Sequence, residues 1–337
     1  MGAVSEVTAA DGLIVAVDAG GSKTEAVALT REGEVHGFRR GPGASPDFEG
    51  LTRAVQIIDE LVTGAAGGMP VAQANLYISG LDLPVEISAY VAAIDEFGWA
   101  GPSTVVANDL FALLRAGTDE PNAIAVICGT GINAVGVRAD GADARFAALG
   151  EFSGDWGGGG GLGAQALWHA ARDVDRRGPH TALTPAILAR LGASSIEALI
   201  EDLHFGRRDS AELVELAPVV LETARAGDSI AAGLVDRQAE EIAAYVGACV
   251  VRLELEGIAV PVVLGGGVIR SGDELLLERV RAWIAEVAPA ARPEIYDGPP
   301  VVGAALLALD RVGASRAARA RARIEVGEAA ARSVLQR

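Results

Sequence analysis

Leu13 to Leu29 reads LIVAVDAGGSKTEAVAL. An apolar run, Leu13 to Val17, ends on one carboxylate, Asp18. A Gly20-Gly21 turn follows, then Ser22, Lys23 and Thr24, then a second apolar run. The pattern predicts strand, turn, strand. Glycine lets the backbone bend sharply and approach a ligand closely. Amides of such a turn can converge on a phosphate, with hydroxyls and a lysine as further donors. A lone aspartate at the strand end suits a magnesium ion or its waters. The stretch is neither of the common phosphate loops: it lacks GxxxxGK[ST], and no helix opens directly behind its glycines. Taken alone, a plain β-hairpin with a polar turn would read the same way.

A second copy separates the two readings. Ala123 to Val137 reads AIAVICGTGINAVGV, again an apolar run, a turn at Gly129-Thr130-Gly131 and another apolar run. Two such hairpins about one domain apart predict a duplicated lobe, with a phosphate chain gripped between the copies. Cys128 stands where the first copy has Asp18, so the two halves carry different chemistry.

The chain has 337 residues, which suits two domains or one large one. Half of them are hydrophobic, enough for sizeable cores. A net charge of −17 argues against nucleic acid or an anionic membrane as partner. Aromatic residues are scarce, so base-stacking platforms are not expected. Cys128 and Cys249 lie in apolar runs and read as buried free thiols of a reducing compartment. No CxxC or Cys/His cluster supports a zinc or iron–sulfur site. No export signal and no bilayer-length apolar run is visible, so the expected setting is the cytoplasm.

Residues 1–12 read as a frayed start. Glu34 to Arg40 is expected as a third strand, and Gly41 to Pro46 as a loop. Leu51, Val55, Ile58 and Val62 share one face of a predicted helix. A strand over 74–78 ends at Ser79-Gly80-Leu81-Asp82. A helix over 85–97 follows, then a short strand over 103–107, then Asn108-Asp109 and a helix over 110–116. This order predicts a mixed sheet covered by helices. Beyond the second hairpin comes the glycine-dense Gly150 to Gly163, GEFSGDWGGGGGLG, ahead of a helix over 164–171. Helices are expected within 184–226 and over 229–255, 273–287 and 301–309. Strands are expected over 260–264, before Gly265-Gly266-Gly267, and near 293–296. The tail from Arg311 carries seven arginines against two glutamates and reads as a solvated helix or a disordered segment. The expected division is 1–118, 119–310 and a tail of 311–337.

Asp109 stands where a strand ends and a helix starts. Asp and Asn fill helix N-caps routinely, yet strand C-termini of an α/β sheet are also where ligands bind. A carboxylate there could take a proton from a substrate hydroxyl. Asp155 lies in the glycine run, where a turn aspartate in a linker is the plain alternative. Trp156 and an apolar helix flank it, unlike a Ser/Gly linker. Gly265 to Gly267 could bind a base or ribose, or be a simple strand-to-helix turn. His36, His169, His180 and His204 are scattered and have no catalytic partner in sequence.

Together these pieces resemble the N-acetylglucosamine kinase branch of the actin-like ATPase and sugar kinase superfamily, the BadF/BadG/BcrA/BcrD ATPase type. The resemblance runs from about Ile14 to Ala308. Its first phosphate motif matches Asp18 to Thr24, its second Gly129 to Asn133, and its adenosine motif Leu264 to Val268 with Ser271 beyond. Asn108-Asp109 matches the catalytic aspartate, and Gly154-Asp155-Trp156-Gly157 the sugar motif. Ala224 with Gly227-Asp228 resembles the helix on the adenine side.

The resemblance implies a two-lobed, ribonuclease H-like α/β fold with a duplicated mixed β-sheet flanked by helices, closing over ATP and an amino sugar. It implies a transferase that phosphorylates N-acetylglucosamine at the 6-hydroxyl, and a homodimer. Asp18 would hold magnesium through water. Gly20, Gly21, Ser22, Lys23, Thr24, Thr130 and Gly131 would grip the phosphates, and Ala224, Gly266, Gly267 and Ser271 the adenosine. Asp109 would orient the sugar hydroxyl and accept its proton, and Ser45, Ile132, Asn133, Gly150 and Asp155 would bind the sugar. Positioning and charge neutralisation carry most of such a transfer.

Three departures keep glucosamine or another hexose open as substrate. Relatives place an asparagine in the loop where Ser45 stands. Ala148-Leu149-Gly150 replaces Gly-Trp-Gly, and Gly157 to Gly161 replace a more varied segment. An activator ATPase of a radical dehydratase or reductase shares the fold, but it needs cysteines at an interface, and Cys128 and Cys249 sit in apolar runs. A sugar-responsive regulator would carry a DNA-binding module, and no helix-turn-helix precedes the first hairpin.

Overall fold

The computed structural model describes residues 12–335, so the start expected to fray lies outside the described residues except for Gly12. Among the described residues, ten strands form two five-stranded sheets. In the first, β1 (Leu13–Ala19), β2 (Thr24–Leu29) and β3 (Val35–Gly41) form an antiparallel meander. Next to β1 lies β4 (Val71–Ile78), and beyond it β5 (Val105–Ala107), both parallel to β1. In the second, β6 (Ala123–Cys128), β7 (Ile132–Val137) and β8 (Asp143–Arg145) repeat the meander. There β9 (Pro261–Gly265) pairs parallel with β6, and β10 (Arg292–Ile295) with β9. The sheet orders β3-β2-β1-β4-β5 and β8-β7-β6-β9-β10 are thus the same topology twice. Each sheet is the centre of one unit.

The first unit runs to Asp119 and resumes at Tyr296. Every residue of β1 is buried, because helices cover both faces of the sheet. Its side chains alternate. Leu13, Val15, Val17 and Ala19 face a core with Val55, Ile58 and Val62 of the Leu51–Ala66 helix. Ile14 and Ala16 face a core with Val301, Ala305 and Leu309 of the Val301–Arg311 helix, and with Ala322 and Val326 of the Arg316–Leu335 helix. The second unit, Glu120–Ile295, has its own core around β6, β9 and the Ser229–Arg252 helix.

Three expectations change. Residues 296–310 were assigned to the second lobe but belong to the first unit. Gly303 makes the reason visible: a Cβ there would lie 1.8 Å from the Ala112 carbonyl oxygen, so two helices of the first unit meet backbone to backbone. The tail from Arg311 forms the helix that one of its two readings expected, Arg316–Leu335, but that helix is not solvated all round: Ala318, Ala322, Val326, Ala329 and Ala330 are buried. Its arginines are tied down, Arg319 to Asp310 at 2.8 Å and Arg321 to Glu34 at 2.7 Å. Third, the helix expected from Ala164 begins six residues earlier and runs Gly158–Val174.

Candidate functional site

In the first unit, three parallel strands deliver carboxylates to one end of the sheet. Asp18 pairs with Tyr77 of β4, and Tyr77 with Ala107 of β5, so Asp109 leaves the sheet two residues beyond that level. Asp82 follows the end of β4. Asn108, buried, ties these ends together. Its amide donates to Asp82 Oδ1 at 2.8 Å, and its Oδ1 accepts the Leu110 N–H at 2.9 Å. Asn108 thus takes the capping role that the sequence offered to Asp109, whose side chain makes no cap hydrogen bond. Removal from water pushes the Asp109 carboxyl well above the ordinary carboxylate range, and the charges of Asp18 and Asp82 push it further.

The first glycine turn presents Gly21 and Ser22 to solvent, with Gly20 partly covered and closed by a Gly20 N–H to Lys23 carbonyl bond of 2.9 Å. The Lys23 ammonium is paired with the buried carboxylate of Glu25 at 2.9 Å. Thr24 is fully buried in β2, with its hydroxyl unpartnered. Ala44 N–H bonds to the Gly20 carbonyl at 3.2 Å, which brings the Ser45 loop onto this turn. Ser45 itself is fully buried.

The second unit gathers the other expected residues. Thr130 and Gly131 are exposed at the second turn; Ile132 is buried and Asn133 half-buried behind them. The N–H groups of Gly159 and Gly160 donate to the carbonyls of Gly129 and Thr130 at 2.7 and 2.9 Å. The glycine-rich helix therefore starts on the phosphate turn. A Cβ on Gly158 would lie 2.5 Å from the Gly131 backbone, and one on Gly266 2.3 Å from the Cys128 carbonyl oxygen, so neither can carry a side chain. Beside Ala224, Arg225 pairs at 2.8 Å with the buried Asp273, two residues beyond Ser271. Asp155 and Gly150 are in direct contact, the Gly150 N–H donating to Asp155 Oδ2 at 3.2 Å. Ser153 donates to the same oxygen, and the Tyr245 hydroxyl to Oδ1. The carboxylate is therefore fixed in orientation beside a cleft of about 380 Å³. Trp156 and Arg237 line that cleft, the guanidinium stacked 4.1 Å from the indole centroid.

Asp82, Tyr245 and Arg237 were not singled out in sequence. For Asp82 a signal exists, a carboxylate just past a strand, as at Asp18 and Asp109. Tyr245 and Arg237 sit mid-helix and carry none. Both cysteines are buried free thiols, and burial pushes each up to about 12. Among the described residues no group of three or more His, Cys, Asp or Glu side chains could hold a metal ion. No single described helix is long and apolar enough to cross a membrane.

The sequence profile of the BadF/BadG/BcrA/BcrD ATPase family matches residues 15–308. An N-acetyl-D-glucosamine kinase of Dictyostelium discoideum is 26% identical over 314 residues, covering 88% of this chain and 98% of its own. An N-acetylmuramic acid/N-acetylglucosamine kinase of Clostridium acetobutylicum is 27% identical over 264 residues, covering 77% of this chain and 86% of its own. Among solved structures, a candidate N-acetylglucosamine kinase of Chromobacterium violaceum superposes with a TM-score of 0.70 at 24% identity, over 89% of this chain and 99% of that one. At that identity the likeness speaks for the fold.

Proposed function

The chain belongs to the BadF/BadG/BcrA/BcrD ATPase family, and we propose that it is an ATP-dependent amino-sugar kinase acting on the 6-hydroxyl of N-acetylglucosamine. The observation that carries this reading is Asp109: a carboxylate past a parallel strand, beside Asp18 and Asp82, with its proton affinity raised by burial and by both neighbours. A base works best when its pKa approaches the operating pH, and an ordinary exposed aspartate is too weak for that.

Each residue then has a task. Asp109 orients the sugar hydroxyl and accepts its proton as the oxygen attacks. Asn108 caps the helix that follows Asp109 and ties Asp82 to the same end of the sheet. Gly20 to Ser22, with Thr130 and Gly131, offer backbone and hydroxyl donors to phosphate oxygens. Gly266 and Gly267 leave room for the adenosine. Gly150 and Asp155 face sugar hydroxyls, and Tyr245 keeps the carboxylate aimed. Asp18 fits a magnesium ion held through water. A single carboxylate suits an ion that keeps most of its waters and takes phosphate oxygens. A cation there would also relieve the repulsion among Asp18, Asp82 and Asp109. That ion would supply charge neutralisation on the transferred phosphoryl group.

We further assign the chain to the cytoplasm as a homodimer, in keeping with its reduced, buried thiols and with the resemblance above. The iron–sulfur role of an activator ATPase is disfavoured because both thiols are buried inside packed elements. The test is ADP release from ATP and magnesium across N-acetylglucosamine, glucosamine and glucose. N-acetylglucosamine should stimulate turnover with the highest kcat/KM of the N-acetylated or neutral sugars. ATP hydrolysis that ignores every sugar would overturn the kinase reading.

A further inference from the structure

The second phosphate turn is held from outside its hairpin, by the Gly159 and Gly160 N–H groups on the carbonyls of Gly129 and Thr130 at 2.7 and 2.9 Å. The first turn has a different clamp. The loop after β3 reaches it with a longer hydrogen bond, Ala44 N–H to the Gly20 carbonyl at 3.2 Å. Gly43 comes so near that a Cβ there would lie 2.2 Å from the Gly21 carbonyl oxygen. Beyond them the ring of Phe48 lies on Gly21 itself. A Cβ on Gly21 would sit 2.8 Å from Phe48 Cε2 and 3.1 Å from Cδ2, so no side chain fits between ring and turn.

Phe48 is 60% exposed, so its ring does not fill a core. Its place is nonetheless fixed. It belongs to the short helix Pro46–Glu49, where the Phe48 and Glu49 N–H groups donate to the Ser45 carbonyl at 3.2 and 3.1 Å. Ser45 is fully buried and anchors that helix at its start. The same segment is seated against Gly80. A Cβ there would lie 2.5 Å from Asp47 Oδ2 and 2.9 Å from Ser45 Oγ, so only bare backbone lets the two approach so closely. The turn under the ring is the opposite case. Gly21 and Ser22 face solvent, and glycine loses more conformational freedom on being fixed than any other residue. A turn that wanders must be ordered when its amides meet a phosphate, and that ordering weakens binding. A ring already resting on Gly21 removes part of that cost.

We propose that Phe48 is a positioning residue for the triphosphate: its ring holds Gly21, so that the first turn meets the phosphates already ordered. The proposal rests on the part of the kinase reading that gives this turn to phosphate, and it deepens that reading by giving an exposed apolar side chain a task. Phe48 acts on ligands that carry phosphate, since the adenosine is assigned to Gly266 and Gly267, on another turn. Truncating the ring leaves the backbone hydrogen bond from Ala44 in place but frees Gly21 to move.

The experiment measures equilibrium binding of ATP with magnesium, and of adenosine, to the full-length wild type, to Phe48→Ala and to Phe48→Tyr. Phe48→Ala weakens ATP binding about fivefold, the effect of returning backbone freedom to one residue, and leaves adenosine binding unchanged. Phe48→Tyr keeps the ring and binds ATP as the wild type does. An unchanged ATP affinity in Phe48→Ala overturns the proposal. So does an equal loss for adenosine, which would mark a general disturbance of the fold, and so does a Phe48→Tyr variant that behaves like Phe48→Ala. The selective loss in a chain that phosphorylates no sugar would support the ring's role and sink the kinase reading. A wild type that binds no ATP removes both.

Discussion

Asp109 is held in a state that costs stability and that a base requires. Its ordinary pKa is 3.8, and the fold raises it through burial first, then through Asp18 and Asp82. A carboxyl whose folded pKa lies above its unfolded one favours the protonated fold. Its contribution to stability is complete below the ordinary value and is lost as pH rises through the folded value. Asparagine mimics the neutral carboxyl at every pH. Asp109→Asn should therefore melt higher than the wild type near about pH 8, with the gap narrowing toward about pH 5. The same variant should lose sugar phosphorylation by about a thousandfold or more while ATP binding persists. Thermal unfolding at both pH values and an ADP-release assay check the pair. A variant that melts lower at the alkaline pH would show that Asp109 is not strained, and one that keeps its activity would show that it is not the base. The position of Asp109 was readable because a strand-end carboxylate announces itself by local pattern. The pinning of Asp155 by Tyr245 was not, since those residues are 90 apart in sequence and meet only in the fold.

The glycine-rich helix Gly158–Val174 shows packing overruling intrinsic preference. Helix propensity puts glycine about 1 kcal/mol below alanine, which is why local pattern started the helix at Ala164. The fold starts it at Gly158 because the first turns lie against other backbone. A Cβ on Gly163 would sit 1.8 Å from the Leu213 carbonyl oxygen, while one on Gly161 would meet nothing within 4 Å. The two positions should therefore respond in opposite senses. Gly163→Ala forces the helix away from the 210–216 segment and should cost about 1–3 kcal/mol. Gly161→Ala relieves only chain entropy and should add about 0.5–1 kcal/mol. Denaturant unfolding of both variants checks this, and equal effects would mean that the close approach at Gly163 does not decide where the helix lies. The hairpins, by contrast, were plain in sequence, since strands buried along nearly their whole length, as β1 and β6 are, follow from apolar runs interrupted by glycine turns.

The first unit is assembled from both ends of the chain, and this is where local pattern could not reach. The apolar face of Val301–Arg311 was visible as a helix. Which sheet it covers depends on Gly303 meeting Ala112 and on Val301 and Ala305 facing Ile14 and Ala16. The Arg316–Leu335 helix completes the same core. Its Ala322, Val326 and Ala330 are buried there, and Glu325 accepts the Val35 N–H of β3 at 2.9 Å. Arg323 donates to the Ala116 carbonyl at 2.7 Å, closing the C-terminal end of the Leu110–Gly117 helix that starts beside Asp109. The alanine and arginine content that reads as solvated is thus a fit to a tight space: small side chains against the sheet, guanidinium groups on carboxylates and carbonyls around it. Ending the chain after Val312 should therefore destabilise the unit that carries the base, although it removes no residue proposed to touch a substrate. The melting temperature should fall by at least about 5 °C, as expected for losing a few kcal/mol in a domain of this size. Below the shortened chain's melting point the KM for sugar should stay near that of the full chain. An unchanged melting temperature would mean that the helix adds nothing to the core it covers, and a selective rise in KM would assign it a place in the sugar site instead.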